Sequence, residues 1–206
     1  MRELGLFPLP IVLVPTERIP LHIFEPRYRE LIDECVQTDE SFGLLLSTGA
    51  GAVHEVGTHA HVRQVLGVLE DGRMNIVVEG GERFRLLELT GGRAFTTGIV
   101  EPVVDEDEPP DPGDSERALE LFRELVEATE SDVDVPAVTP EERLDFELAA
   151  RVDFEVEAKQ ELLASTSPRV RMARLVEVLE TALAGVRIQQ EHHRRAGQNG
   201  KVTPTD

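Results

Sequence analysis

Histidine, glutamate, cysteine, lysine and arginine are the side chains here that could do chemistry, and their spacing decides whether any set of them can react. The stretch IPLHIFEPRYRELIDE, residues 19 to 34, places His22 and Glu25 among large apolar residues, bracketed by Pro20 and Pro26. One histidine and one carboxylate without a nucleophile or a second base do not form a reacting set, so this stretch reads as one that sets shape. In GTHAHV, His59 and His61 stand two residues apart, on one face of a strand, with His54 close in sequence. That spacing could hold Zn²⁺ or Cu²⁺, but no cysteine or fixed carboxylate completes a ligand set. The expectation is two exposed strand histidines and no metal. Arg83 and Arg85 flank Phe84 in alternation, the pattern of a solvated strand face over a buried ring. Cys35 falls on the apolar stripe of a helix and reads as an inert core thiol. The adjacent His192, His193, Arg194 and Arg195 fall in a polar C-terminal tail.

These residues need elements to position them. Up to about residue 104, short runs rich in Val and Ile, punctuated by Gly and Pro, read as strands. The candidates are 9–14, 19–23, 42–48, 61–69, 73–79, 82–89 and 94–101. VLEDGRMNIVV is the clearest hairpin, with Asp71-Gly72 at its turn, and Gly80-Gly81 and Gly91-Gly92 read as the next two turns. Alternation puts Ile19, Leu21 and Ile23 on one face and Pro20, His22 and Phe24 on the other. Pro26 then opens a helix near 26–37, whose stripe is Tyr28, Leu31, Ile32, Cys35 and Val36. Many strands joined by tight turns favour a barrel over a doubly wound sheet.

Residues 105–115, DEDEPPDPGDS, offer nothing to bury and read as an acidic, proline-rich linker. Beyond them the apolar period becomes helical over 116–190. Leu119, Phe122, Leu125 and Val126 share one face of a helix opened by Asp114 or Ser115. Thr139, Pro140 and Glu142 form a capping-box pattern, a further helix covers about 155–164, and Ser167-Pro168 starts a last one striped by Met172, Leu175, Val176, Leu179, Leu183 and Val186. The expected fold is therefore α+β, a barrel in 1–104 followed by a small helical bundle, with 191–206 a disordered tail.

Composition narrows the function. With 206 residues and 40% apolar content the chain can bury a real core. Its net charge of −19 opposes binding to nucleic acid or to an anionic membrane. Residues 1–100 hold 14 acids against 9 bases and residues 101–165 hold 22 against 5, whereas residues 166–206 hold 4 against 7. A single cysteine excludes an internal disulfide and fits a reducing, cytoplasmic compartment. No apolar run approaches the roughly eighteen residues of a membrane span, and no secretion signal is expected.

FPLPIVLVPTERIPLHIFEPRYRELIDEC, followed by FGLLL, EVGTHAHV, DGRMNIVVEGGERFRLLEL and VEAKQELLASTSPRVRMARLVEVLE, resembles the N-terminal domain of the Lon protease family over about residues 6 to 185. The resemblance implies a PUA-like β-barrel followed by a helical subdomain, and recognition of unfolded or damaged polypeptides. Histidines at 59 and 61 depart from the family pattern. No phosphate-cradling G-x-x-x-x-G-K-[ST] loop is present: GQNGKVT at 197–203 has the wrong glycine spacing and Val202 after the lysine. The only lysines, Lys159 and Lys201, are implausible for a Ser–Lys dyad. The expectation is a free-standing, non-enzymatic polypeptide-binding module without cofactor, acting in protein quality control. Its partners would be unfolded proteins, a separate ATP-dependent protease or adaptor, and a second copy of the chain as a homodimer. The residues assigned to client contact are Pro20, His22, Phe24, Glu25, Arg27, Arg83 and Arg85. An RNA-binding PUA-like module is the alternative, and it lacks a basic footprint and interleaved aromatics.

Overall fold

The computed structural model describes every residue except 50, 132, 137–142 and 200–206, and the backbone without the side chains of 193–199. The first half comprises β1 (Arg2–Leu9), β2 (Arg18–Ile23), α1 (Pro26–Thr38), β3 (Phe42–Gly49), β4 (Ala52–Val53), β5 (Val56–Val68), β6 (Met74–Thr90) and β7 (Thr97–Pro102). The sheet runs β1-β7-β6-β5-β3, and a parallel pairing of β1 with β3, Leu6 opposite Gly43 through Leu9 opposite Leu46, closes it into a barrel. β2 adds to the first half of β6, and β4 to the end of β3. The second half comprises α2 (Pro112–Thr129), α3 (Leu144–Ala149), α4 (Val156–Ala164) and α5 (Pro168–Asn199). The expected α+β architecture is therefore the observed one.

α1 begins at Pro26 as its fixed φ dictates, and Tyr28, Leu31, Ile32 and Cys35 are buried. Val36, the fifth residue of the expected stripe, is 48% exposed. Gly72, at φ 82°, turns the β5–β6 hairpin as expected. Other elements differ. Gly80-Gly81 is not a turn, because β6 runs straight through it. A Cβ on Gly80 would lie 2.1 Å from the Val14 carbonyl oxygen, so glycine there admits the 10–14 segment against the sheet. That segment, expected as a strand, carries Val12, Leu13 and Val14 into the core without strand pairing, and the N-terminal strand is Arg2–Leu9 instead. The capping box at 139–142 lies outside the described residues.

The expected linker is also revised. Asp111, not Asp114 or Ser115, caps α2: its Oδ1 accepts from Gly113 N at 2.9 Å, ahead of Pro112 in the first turn. Upstream, Glu106 N donates to Thr166 O at 2.8 Å, and Asp105 is tied into ion pairs. The barrel and the helices share one core, in which Val12, Val14, Leu46 and Val56 meet Phe122, Phe146, Phe154, Leu163 and Leu175. The expected tail is helical as far as Asn199.

Charged side chains lock this junction. Arg83, on β6, has a fully buried side chain and donates to the carbonyls of Leu163 at 2.7 Å and Ser165 at 2.6 Å, and to Asp105. Arg171, on α5, grips both oxygens of Asp105 at 2.8 Å and pairs with Asp145; Arg143 reaches Asp105 at 3.1 Å. The Phe146 ring stacks under all three guanidinium groups. Nearby, buried Lys159 donates to Glu17 Oε1 at 2.5 Å, and the other Glu17 oxygen accepts from Val14 N.

Candidate functional site

The corner at residues 19–27 is built by the pairing of β2 with β6, in which Leu21 lies opposite Ile76, His22 opposite Asn75 and Ile23 opposite Met74. Ile23 is buried, whereas Pro20, His22 and Arg27 are exposed and Phe24 is 60% exposed. His22 Nδ1 hydrogen-bonds Asn75 Oδ1 at 2.7 Å, and its ring lies 6.1 Å from that of Phe24 at 22°. The ledge is held from below as well: Arg27 Nε donates to Glu25 Oε2 at 2.9 Å, with its guanidinium over the Tyr28 ring. Five of the seven assigned contact residues, Pro20, His22, Phe24, Glu25 and Arg27, thus form one ledge.

A neighbouring feature escaped the sequence reading. Val68 also pairs with the Met74 region, so β2 and β5 flank the start of β6 and end at the same edge of the sheet, about 10 Å apart by strand spacing. The β5–β6 tip there exposes Val65, Leu66, Val68 and Leu69, at the same end of the sheet as Phe24. The signal was present in QVLGVLEDG, where the apolar residues run on without polar alternation into the turn. Next to the tip, Arg29 Nη1 donates to Asp71 O at 2.6 Å and ties α1 to the hairpin. A groove of about 520 Å³ runs between them, lined by Pro26, Gly72, Arg29, Glu30, Asp33 and Glu34. An apolar face is therefore bordered by carboxylates.

The other assigned residues lie elsewhere. Arg83 is not on a solvated face, because its neighbours are the carbonyls and carboxylate of the helical region, and it cannot touch a client. Arg85 remains partly exposed and pairs with Glu55 at 3.3 Å. His59 is not an exposed strand histidine either. It is buried against the Phe84 ring, with Ser41 and Arg2 within hydrogen-bond distance. Burial, then the charges of Arg2 and His61, lower its pKa to about 4, so it is neutral at pH 7. His61 is half-buried, and among the described residues no group of three or more His, Cys, Asp or Glu side chains could hold a metal. Cys35 is buried, and burial with the Glu34 and Glu40 charges raises its pKa to about 11, so its thiol stays protonated. No described helix is long and apolar enough to cross a membrane.

The family model for the ATP-dependent protease La (LON) substrate-binding domain matches residues 3–181. The chain belongs to this family. Among its relatives, Lon protease 1 of Hydrogenovibrio crunogenus is 24% identical over 84% of this chain, and Lon protease 2 of Myxococcus xanthus is 28% identical over 82%. The chain spans about a quarter of the length of these proteases, 23% and 22%. The Lon N-terminal domain protein of Xanthomonas campestris superposes with a TM-score of 0.65 at 27% identity, covering 86% of this chain and 98% of that one. The N-terminal domain of Mycobacterium avium complex Lon protease, 18% identical with a TM-score of 0.65, shares the fold. The matched family model is that of the Lon substrate-binding domain.

Proposed function

We propose that this Lon substrate-binding domain is a non-enzymatic module that holds unfolded polypeptide on the face formed by Phe24 and the β5–β6 tip. The observation that carries the reading is that Phe24, Val65, Leu66, Val68 and Leu69, each 41–63% exposed, all lie at one end of the β2–β6–β5 sheet. Exposed apolar residues scattered singly are ordinary, whereas several gathered at one end of a sheet make that end a candidate binding surface. The ledge is fixed by Pro20, Pro26 and β2–β6 pairing, so an extended client would dock without first ordering its receptor. The bordering Glu30 and Asp33 favour clients with Lys or Arg beside apolar residues. In the cell such a module would serve a separate ATP-dependent protease or adaptor.

The RNA-binding alternative is not favoured. Arg83 is buried in an ion pair, Arg18, Arg27, Arg63, Arg73, Arg85 and Arg93 each pair with a carboxylate, and Arg2 and Arg29 are held by His59 and the Asp71 carbonyl, so among the described residues the barrel arginines gather into no basic groove. The test is fluorescence titration with a chemically unfolded model protein, for the parent, Phe24→Ala and Leu66→Ser. Each substitution removes an exposed side chain and is expected to weaken binding roughly tenfold with the fold intact. Equal affinity of all three, with far-UV circular dichroism unchanged, would place the client elsewhere.

A further inference from the structure

A second groove lies where the barrel meets the helices. It has a volume of about 670 Å³ and is lined by Pro10, Leu46, Ser47, Thr48, His54, Val156 and Gln160 among others. Three observations give it the character of a built site. First, its wall is an open strand edge: pairing of β1 with β3 ends at Leu9 opposite Leu46, Pro10 has no N–H with which to continue, and β3 runs on to Gly49. Among the described residues, Ser47 and Thr48 therefore have β4 on one side and no strand on the other. Second, Gln160 is 5% exposed and sits in the groove lining; its Nε2 donates to Val56 O at 3.1 Å, while its Oε1, buried, has no hydrogen-bond partner. A buried acceptor left unmade carries a desolvation penalty that an incoming donor would remove. Third, the rim carries Glu157 and Glu161. Glu161 pairs with Arg174, and Glu157 faces no cation among the described residues.

We propose that this groove binds an extended polypeptide segment, apolar with a basic residue, which continues the sheet beside Ser47 and Thr48 where β1 leaves off. Its backbone N–H groups meet the open β3 edge and the Gln160 Oε1, its apolar side chains cover Leu46, Val156 and Pro10, and its cation meets Glu157. Main-chain pairing at a sheet edge supplies affinity without demanding one sequence, and the apolar lining with a few converging polar groups is the composition of a binding cleft. The proposal shares with the preceding reading only the class of ligand. The location is separate.

The experiment is an amide NMR titration of the full chain with a soluble peptide of alternating leucine and lysine, repeated with Ala164→Trp, which fills the groove from its exposed rim, with Glu157→Lys, and with Phe24→Ala. The proposal expects shifts and slowed exchange at Ser47 and Thr48, shifts at Val156 and Gln160, their loss in Ala164→Trp, about tenfold weaker binding at these amides in Glu157→Lys, and their survival in Phe24→Ala. A peptide of alternating leucine and aspartate is expected to bind the groove at least tenfold more weakly. Shifts at Phe24 and the β5–β6 tip alone would overturn the groove and leave the first face standing. Shifts at neither would overturn both, and groove shifts unchanged in both Ala164→Trp and Glu157→Lys would overturn the geometry argued here.

Discussion

Replacing Asp105 by alanine tests how the barrel is joined to the helices. Asp105 is the anion between Arg83, whose side chain is fully buried, and Arg171, whose side chain is 2% exposed, and Arg143 reaches it from the rim. Without it Arg171 keeps Asp145, but Arg83 keeps only two carbonyl acceptors and no counter-charge. Removing one partner of a buried ion pair costs about 3–5 kcal/mol, and the 21% exposure of Asp105 and the remaining acceptors place the expectation near the lower end, about 3 kcal/mol. At roughly 2–4 °C per kcal/mol for a chain of this size, the midpoint should fall by about 6–12 °C. Burial raises the Asp105 pKa, but its hydrogen bonds and charge contacts with Arg171, Arg83 and Arg143 outweigh this and hold it below its ordinary 3.8. A depressed carboxylate pKa gives stability that is present above the unfolded value and lost as pH falls through the folded one. The gap between parent and Asp105→Ala should therefore be full near neutrality and close below about pH 4. Calorimetry across pH measures both. A loss under about 1 kcal/mol at pH 7, or a gap that widens in acid, would refute the network as the junction's lock.

Three further outcomes follow from buried polar groups. His59 has its pKa lowered from 6.5 to about 4, so its contribution is whole above 6.5 and is lost as pH falls toward 4; His59→Phe should flatten the stability profile in that window, read by denaturant titration at several pH values. Lys159→Met strands Glu17 in the core and should cost roughly 3 kcal/mol, while adding Glu17→Gln should recover most of it, as a double-mutant cycle in urea would show. Melting with and without Zn²⁺ should coincide, because the buried His59 ring faces Arg2 and Ser41; a Zn²⁺-dependent rise lost in His59→Ala would contradict this.

What the sequence could reveal was whatever depends on neighbours along the chain. The α1 stripe, the Asp71-Gly72 turn and the α5 stripe rest on local periodicity and turn chemistry, and, the exposed Val36 apart, they appear where that chemistry puts them. The family resemblance likewise needed only ordered blocks of residues. Gly80-Gly81 was misread because glycine serves close approach as well as turns, and the approaching Val14 lies far off in sequence. Arg83, Asp105 and Lys159 were opaque for the same reason: whether a charge is buried depends on partners such as Arg171, Leu163 and Glu17, which no local pattern names. The alternation around Arg83 was real, but the face taken to be solvated is covered by the helices. At the proposed binding face, Phe24 was legible from strand alternation and its prolines. Val65, Leu66, Val68 and Leu69 became part of the face only once the register of β2, β6 and β5 brought their ends together.

The central claim is that unfolded polypeptide is held at the end of this β2–β6–β5 sheet. Amide NMR of the chain titrated with a chemically unfolded, basic model protein tests it most directly. The account predicts shifts at Phe24, Leu66, Val68 and Leu69 that shrink in Phe24→Ala and fade as salt rises, since exposed charges are screened beyond about 8 Å at physiological ionic strength. Perturbations confined to α2–α5, or a Phe24 face silent at saturating client, would contradict it.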